Sequence, residues 1–227
     1  MLAAALFLLF PIEQKMAPSA DNPDTRPLAR ILRKPLRFPT VIFALLYGIN
    51  AFGLYLITSW APTLLPQAGF TLDQAARSIT IIQLGGLIVA LALAWLIDRN
   101  HAVLALAGAY VTIIVAFTLL AILPADPLSW NMLLLVAGGG IVGVHLCIMA
   151  VVTGVFPPDC LATAIGFGVA VARIGAIGGP LAGGWLIGHG AGPSQFFLFA
   201  ILPMALCLLI TLALPAARRA GQPDATA

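Results

Sequence analysis

Between residues 41 and 214 the chain alternates long apolar runs with short polar or proline-bearing breaks. Six runs stand out, at 41–65, 76–97, 102–123, 130–156, 163–187 and 195–214. A helix needs about 20 apolar residues to cross a hydrocarbon core ~30 Å thick, and each run reaches that length. The breaks carry helix punctuation: Pro66 and Gly69, Asp98 to Asn100, Pro124 and Pro127, Pro157 and Pro158, Gly188 to Pro193, and Pro215. A backbone inside lipid must satisfy its own polar groups, so runs of this length predict helices rather than strands. The expected fold class is all-α integral membrane, a six-transmembrane-helix bundle.

Composition removes the soluble alternative. Hydrophobic residues make up 61% of the chain and charged residues 8%, against roughly 25% charged in an ordinary soluble domain. The formal charge of +3 matters through its placement. Lys15, Arg26, Arg30, Arg33, Lys34 and Arg37 precede the first run, Arg99 lies between the second and third, and Arg218 and Arg219 follow the sixth. An even number of crossings puts all of these on one side, and the opposite side offers only Arg77. Basic loops mark the cytoplasmic side. The expectation is a multi-pass protein of the cell inner (plasma) membrane with both termini cytoplasmic and no nucleic-acid partner.

The outer segments divide accordingly. Residues 1–11, opening MLAAALFLLF, have no basic n-region or small-residue cleavage site and are too short to span. They read as the stump of a preceding transmembrane helix. Residues 12–38 read as a basic cytoplasmic linker, either a solvated charge run that fixes topology or a short amphipathic helix on anionic lipid. Residues 39–216 hold the six helices and residues 217–227 a cytoplasmic tail.

One charge breaks the apolar pattern. Arg173 sits in VARIGAIGGPLAGGWLIG with no other charge between Leu161 and Gly188. At 1.5 Å rise per residue it lies about 15 Å into the fifth run, near the midplane. An arginine there costs roughly 2.5–3.5 kcal/mol to insert. No Asp or Glu lies within any of the six runs to neutralise it. Its partner is therefore main-chain carbonyls, water, another chain, or an anionic ligand held bidentately. Gly175, Gly179 and Gly183 form a small-residue stripe suited to close helix contact. Arg173 lies off that stripe, on a face with Gly166, Ala170, Ile177 and Pro180. Pro180 also frees the carbonyl of Ala176 at membrane depth.

Asn50, Tyr55, Gln83 and His145 lie at similar depth. Each suits either an interhelical hydrogen bond or a ligand contact, and His145 is also a candidate proton carrier. Tyr55 and Ser59 share a face, and Trp60 fits an interfacial belt. Cys147, Cys160 and Cys207 show no metal or disulfide spacing and read as packing residues. There is no His-Glu-x-x-His, no nucleophile–base pair and no paired intramembrane carboxylate. The expectation is a protein that is not an enzyme, with no cofactor and no metal.

These residues carry a resemblance. AWLIDRN, residues 94–100, resembles the loop motif of the major facilitator superfamily, and Gly85 and Gly86 fit the glycines before it. INAFGLYLITSWAPTLL (49–65) and ARIGAIGGPLAGGWL (172–186) resemble the seventh and eleventh helices of its aromatic acid:proton symporters. FPPDCLATAIGFG (156–168) resembles the loop between their tenth and eleventh helices. The tail LPAARRAGQ lacks the Pro-Glu-Ser/Thr ending of sugar porters. The similarity covers residues 38–215, the C-terminal six-helix half of such a carrier. Departures are Leu161 at the family's loop arginine, Ala164 and Ala94 at glycines, Asn100 and His101 where basic residues follow Arg99, and His145 where glutamine is common.

The resemblance implies a secondary transporter taking up small, possibly aromatic, carboxylates with protons. Arg173 would attract the carboxylate, Asn50, Tyr55, Gln83 and His145 would shape the pocket, and Gly85, Gly86, Asp98 and Arg99 would form the gating motif. Its partners would be the organic anion, protons, the lipid bilayer and an N-terminal six-helix half, which in the family holds the proton-coupling acids. A truncated product and one chain of a two-part carrier both fit. The rival reading is a non-transporting membrane subunit or an inactive fragment.

Overall fold

The computed structural model describes residues 27–221. Its helices are α1 (Pro27–Ile31), α2 (Arg37–Gln67), α3 (Leu72–Asp98), α4 (Ala102–Ile122), α5 (Pro127–Thr153), α6 (Pro158–Gly188), α7 (Pro193–Leu212) and α8 (Leu214–Gly221). There is no strand among the described residues. Helices α2 to α7 are the six apolar runs, each long and apolar enough to cross a membrane. The readings of residues 1–11, of most of the linker and of the end of the tail lie outside the described residues.

The helices begin where their capping chemistry is written. At α3, Thr71 Oγ1 accepts from the Gln74 N–H at 3.2 Å and the Gln74 side chain accepts from the Thr71 N–H at 2.8 Å, a reciprocal capping box. Asp126 accepts from the Ser129 N–H at 2.9 Å ahead of Pro127, which opens α5. Prolines also open α6 and α7, where the missing N–H costs nothing. This is why α6 begins at Pro158 rather than at residue 163. Asn100 at φ 63° ends α3, and Gly69 and Gly190 take positive φ after α2 and α6.

The linker's end departs from both sequence readings. Ile31 is fully buried and Leu36 is buried, although they stand in a basic stretch. Thr40 Oγ1 donates to the carbonyls of Ile31 and Leu36, each at 2.8 Å. Arg30 pairs with Asp159 at the start of α6. This segment is docked on the end of the bundle by its apolar residues, while Arg33, Lys34 and Arg37 remain exposed. Past the sixth run, α8 packs beside the start of α2, where Leu214 and Ala217 are buried next to Pro39 and Phe43.

Helices α2 and α5 form the centre. Within their most apolar windows 67% and 61% of residues are buried, against 22% in both α3 and α6. The principal pairings are α2 with α6, α3 with α5, and α4 with α7. Glycines set the first two. A Cβ at Gly179 would sit 2.8 Å from the Leu56 amide nitrogen, and one at Gly175 would meet the Gly48 carbonyl. A Cβ at Gly85 would lie 2.8 Å from the Leu135 carbonyl, and one at Gly139 would lie 2.7 Å from the Gly85 backbone. Backbone thus meets backbone, as small residues allow in lipid. The three cysteines are buried and act as packing residues.

Trp60 donates its Nε1–H to the Pro180 carbonyl at 2.9 Å. It ties α2 to the proline-interrupted turn of α6.

Replacing Gly179 by Val forces a side chain into the α2 main chain and is expected to cost about 1–3 kcal/mol, read as a lower midpoint of thermal unfolding in detergent. Gly108 has nothing within 4 Å of a built Cβ, so Gly108→Ala should leave stability unchanged or raise it by up to about 1 kcal/mol. Equal midpoints for Gly179→Val and wild type would contradict this packing.

Candidate functional site

Arg173 stands midway along α6, between Pro158 and Gly188. The stripe Gly175, Gly179, Gly183 is pressed against α2, which turns the arginine's face away from that contact. Gly166, Ala170, Arg173 and Ile177 are all exposed on the bundle. The ion pairs among the described residues are Arg30–Asp159 and Arg77–Asp73. Arg173 takes part in neither, and no hydrogen bond ties it to a main-chain oxygen among the described residues. Of the partners left open by the sequence, capture by carbonyls is not the arrangement found.

The guanidinium side chain lines a cavity of about 100 Å³ between α2, α5 and α6. Tyr47, Ala51 and Tyr55 of α2 form one wall, His145 of α5 another, and Ala172, Arg173 and Ala176 of α6 a third. A water occupies about 30 Å³ of liquid, and ligand pockets run to about 300 Å³ or more. The cavity is therefore one wall of a site rather than a closed pocket. Pro180 removes the N–H that would bond the Ala176 carbonyl, so this wall offers a backbone acceptor beside the cation.

Behind the cavity lies a hydrogen-bonded chain. The Tyr110 hydroxyl on α4 donates to Asn50 Oδ1 at 3.0 Å. Asn50 Nδ2 lies 3.2 Å from His145 Nδ1 and 3.5 Å from the Ile141 carbonyl. Tyr47 stacks on the His145 ring, with centroids 4.6 Å apart and planes at 22°. Phe43 continues the stack on the far side of Tyr47, at 5.8 Å.

The expected site residues thus separate. Arg173, Tyr55 and His145 share the cavity. Asn50 is fully buried and supports it from behind. Gln83 is exposed on α3 and does not line it. Tyr47 and Tyr110 were not singled out by the sequence. For Tyr47 a signal existed, since Tyr47, Ala51 and Tyr55 recur every four residues and so share a helix face. Tyr110 gave none, because its partner is sixty positions away.

The gating motif also separates. Gly85 and Gly86 are buried against α5, where added side chains would meet Leu135 and Val142. Asp98 is exposed and in no ion pair among the described residues. Arg99 lies over the Trp95 ring, its Cζ 3.8 Å from the centroid, a contact worth about 0.5–1 kcal/mol when exposed.

Comparison with known proteins agrees with this architecture. A family model described as Major Facilitator Superfamily matches residues 1–169. A gallate transporter of Pseudomonas putida is 31% identical over 217 residues, covering 92% of this chain and 47% of that protein. A benzoate transport protein of Acinetobacter baylyi is 25% identical over 206 residues, 91% of this chain and 44% of that protein. A 4-hydroxybenzoate transporter of Pseudomonas aeruginosa is 32% identical over 177 residues, 74% of this chain and 37% of that protein. The chain spans less than half the length of these relatives. It belongs to the major facilitator superfamily, and its similarity there lies with the aromatic acid transporters.

Proposed function

We propose that this chain is a six-helix half of a proton-coupled secondary transporter for small aromatic carboxylates, and that Arg173 anchors the carboxylate. The observation that carries the reading is a guanidinium midway along a spanning helix, lining a cavity, with no carboxylate or main-chain partner among the described residues. An anion arriving from water supplies the missing charge, and a carboxylate matches the guanidinium in two parallel hydrogen bonds. Tyr55 offers a ring face, and Tyr47, stacked between His145 and Phe43, offers its edge to the body of an aromatic acid. Nothing in the site resembles a nucleophile–base pair, so transport rather than catalysis fits it.

A second six-helix half supplies the opposing wall. The sides of α3 and α6 that this bundle leaves uncovered are apolar, with Leu87, Leu91, Ile177 and Trp185 each more than half exposed. Carriers of this kind hold their substrate at the midplane between two halves, and the about 100 Å³ cavity is open in that sense. Asp98 and Arg99 belong to the gate at the end of α3, and proton coupling belongs to the other half. Orientation follows the charges. Arg33, Lys34, Arg37 and Arg99 stand at the end assigned to the cytoplasm of the inner membrane, while Arg77 at the other end is paired with Asp73 at 2.7 Å.

Two outcomes are expected. In cells making the chain together with an N-terminal half, Arg173→Ala should abolish uptake of labelled benzoate while leaving membrane insertion intact. Losing one partner of a charge pair enclosed between the two halves costs about 2–5 kcal/mol, at least about thirtyfold in affinity; uptake equal to wild type removes the assignment. Separately, Arg173→Cys should react with a membrane-impermeant thiol reagent, whereas Asn50→Cys and the buried native Cys147, Cys160 and Cys207 should not. An unreactive Arg173→Cys would mean that water does not reach the site.

A further inference from the structure

His145 is a titratable side chain on the wall of a membrane cavity beside a fixed cation, and protein holds it by one ring nitrogen. Nδ1 lies 3.2 Å from Asn50 Nδ2. The buried side-chain polar atom left without a partner among the described residues is Trp130 Nε1, so His145 Nε2 is not sealed in.

The proton on this ring follows from the groups around Asn50. The Asn50 nitrogen faces the Ile141 carbonyl at 3.5 Å, and a carbonyl only accepts. The Asn50 oxygen takes the Tyr110 hydroxyl at 3.0 Å. The Ile141 contact sets the amide orientation; it presents the Asn50 oxygen to the Tyr110 hydroxyl, a group able to donate or accept, and aims an N–H at His145 Nδ1. That nitrogen must therefore accept, and the single proton of a neutral imidazole resides on Nε2. Protonating Nδ1 would set N–H against N–H. Turning the amide over to relieve this would set oxygen against the Ile141 oxygen.

Tyr47 and Tyr55 face the ring from α2 and Arg173 from α6, Tyr110 stands behind Asn50 on α4, and Cys147 lies on its own helix. The described acids, Asp73, Asp98, Asp126 and Asp159, all sit at helix ends.

We propose that Asn50, oriented by the Ile141 carbonyl, locks His145 as the neutral Nε2–H tautomer, making it a fixed uncharged donor to the carboxylate that Arg173 anchors, and not a proton carrier. Asn50 is the positioning residue. The donor role rests on the function proposed above; the lock does not. A neutral donor adds a hydrogen bond to the anion without a second midplane charge, and its strength does not vary with pH.

The test uses the chain with ¹⁵N-labelled histidine in lipid nanodiscs, read by long-range ¹H–¹⁵N correlation. His145→Gln identifies the His145 signals among the three histidines. The expected spectrum at neutral pH shows a bare Nδ1 and a protonated Nε2. Asn50→Asp, whose carboxylate accepts from an Nδ1–H, should give the doubly protonated ring at neutral pH. A wild-type His145 that carries its proton on Nδ1, or mixes the two tautomers, overturns the lock.

Benzoate binding tests the donor role. His145→Phe should weaken binding about tenfold, the scale of a hydrogen bond to a charged group. His145→Gln, which keeps an N–H and cannot titrate, should retain it. Equal affinity for His145→Phe and wild type overturns the donor role. Unchanged binding in Arg173→Gln with the predicted spectrum intact would sink the carboxylate anchor and leave the lock standing, so the two failures are distinguishable.

Discussion

The structure depends on the contact between the glycine face of α6 and the main chain of α2. Gly175, Gly179 and Gly183 let the two helices approach until backbone meets backbone, and a helix pinned so closely cannot rotate. The orientation of every other α6 residue follows. Arg173 falls beside the contact rather than within it, on the cavity shared by α2 and α5. Had α6 been turned by a third of a revolution, the same arginine would face lipid, where its insertion cost has no compensation. Trp60, bonded to the Pro180 carbonyl, fastens the same pair where proline interrupts the helix ladder.

The second close pairing, of α3 with α5, does related work for His145. Gly85 and Gly139 meet with no side chain between them, and Cys147 Sγ donates to the Ala90 carbonyl at 3.4 Å. With α5 held there, Asn50 of α2 reaches both His145 and the Ile141 carbonyl, and Tyr110 of α4 reaches Asn50. Four polar groups from three helices satisfy one another in a region where water does not compensate. The cost of leaving any of them unpaired makes the network specify the relative placement of α2, α4 and α5. In this site, shape comes from glycines and polarity from one short chain of hydrogen bonds.

Much of this was legible in the sequence because it rests on single-helix periodicity. The six runs, the glycine stripe and the placement of Arg173 off that stripe each follow from length and a 3.6-residue repeat. What was not legible involves two elements at once. Tyr110 is an ordinary apolar-helix tyrosine until α4, packed on α5 and α7, brings its hydroxyl within reach of Asn50 on α2. Ile31 stands in a basic stretch, so composition assigns it to solvent, whereas its packing on the bundle end buries it completely. Gln83 shows the converse. Depth suggested the pocket, but its position on α3 leaves it exposed and off the cavity.

The central claim is that a substrate carboxylate sits on one guanidinium at the middle of α6. The most direct measurement is the dipolar coupling between ¹³C-carboxyl benzoate and ¹⁵N-labelled arginine in membranes holding the chain. The account predicts strong dephasing at hydrogen-bonding range that disappears in Arg173→Lys, whose ammonium carries the charge without the label-bearing fork. Dephasing that persists in that variant, or none in the wild type with benzoate bound, would contradict it.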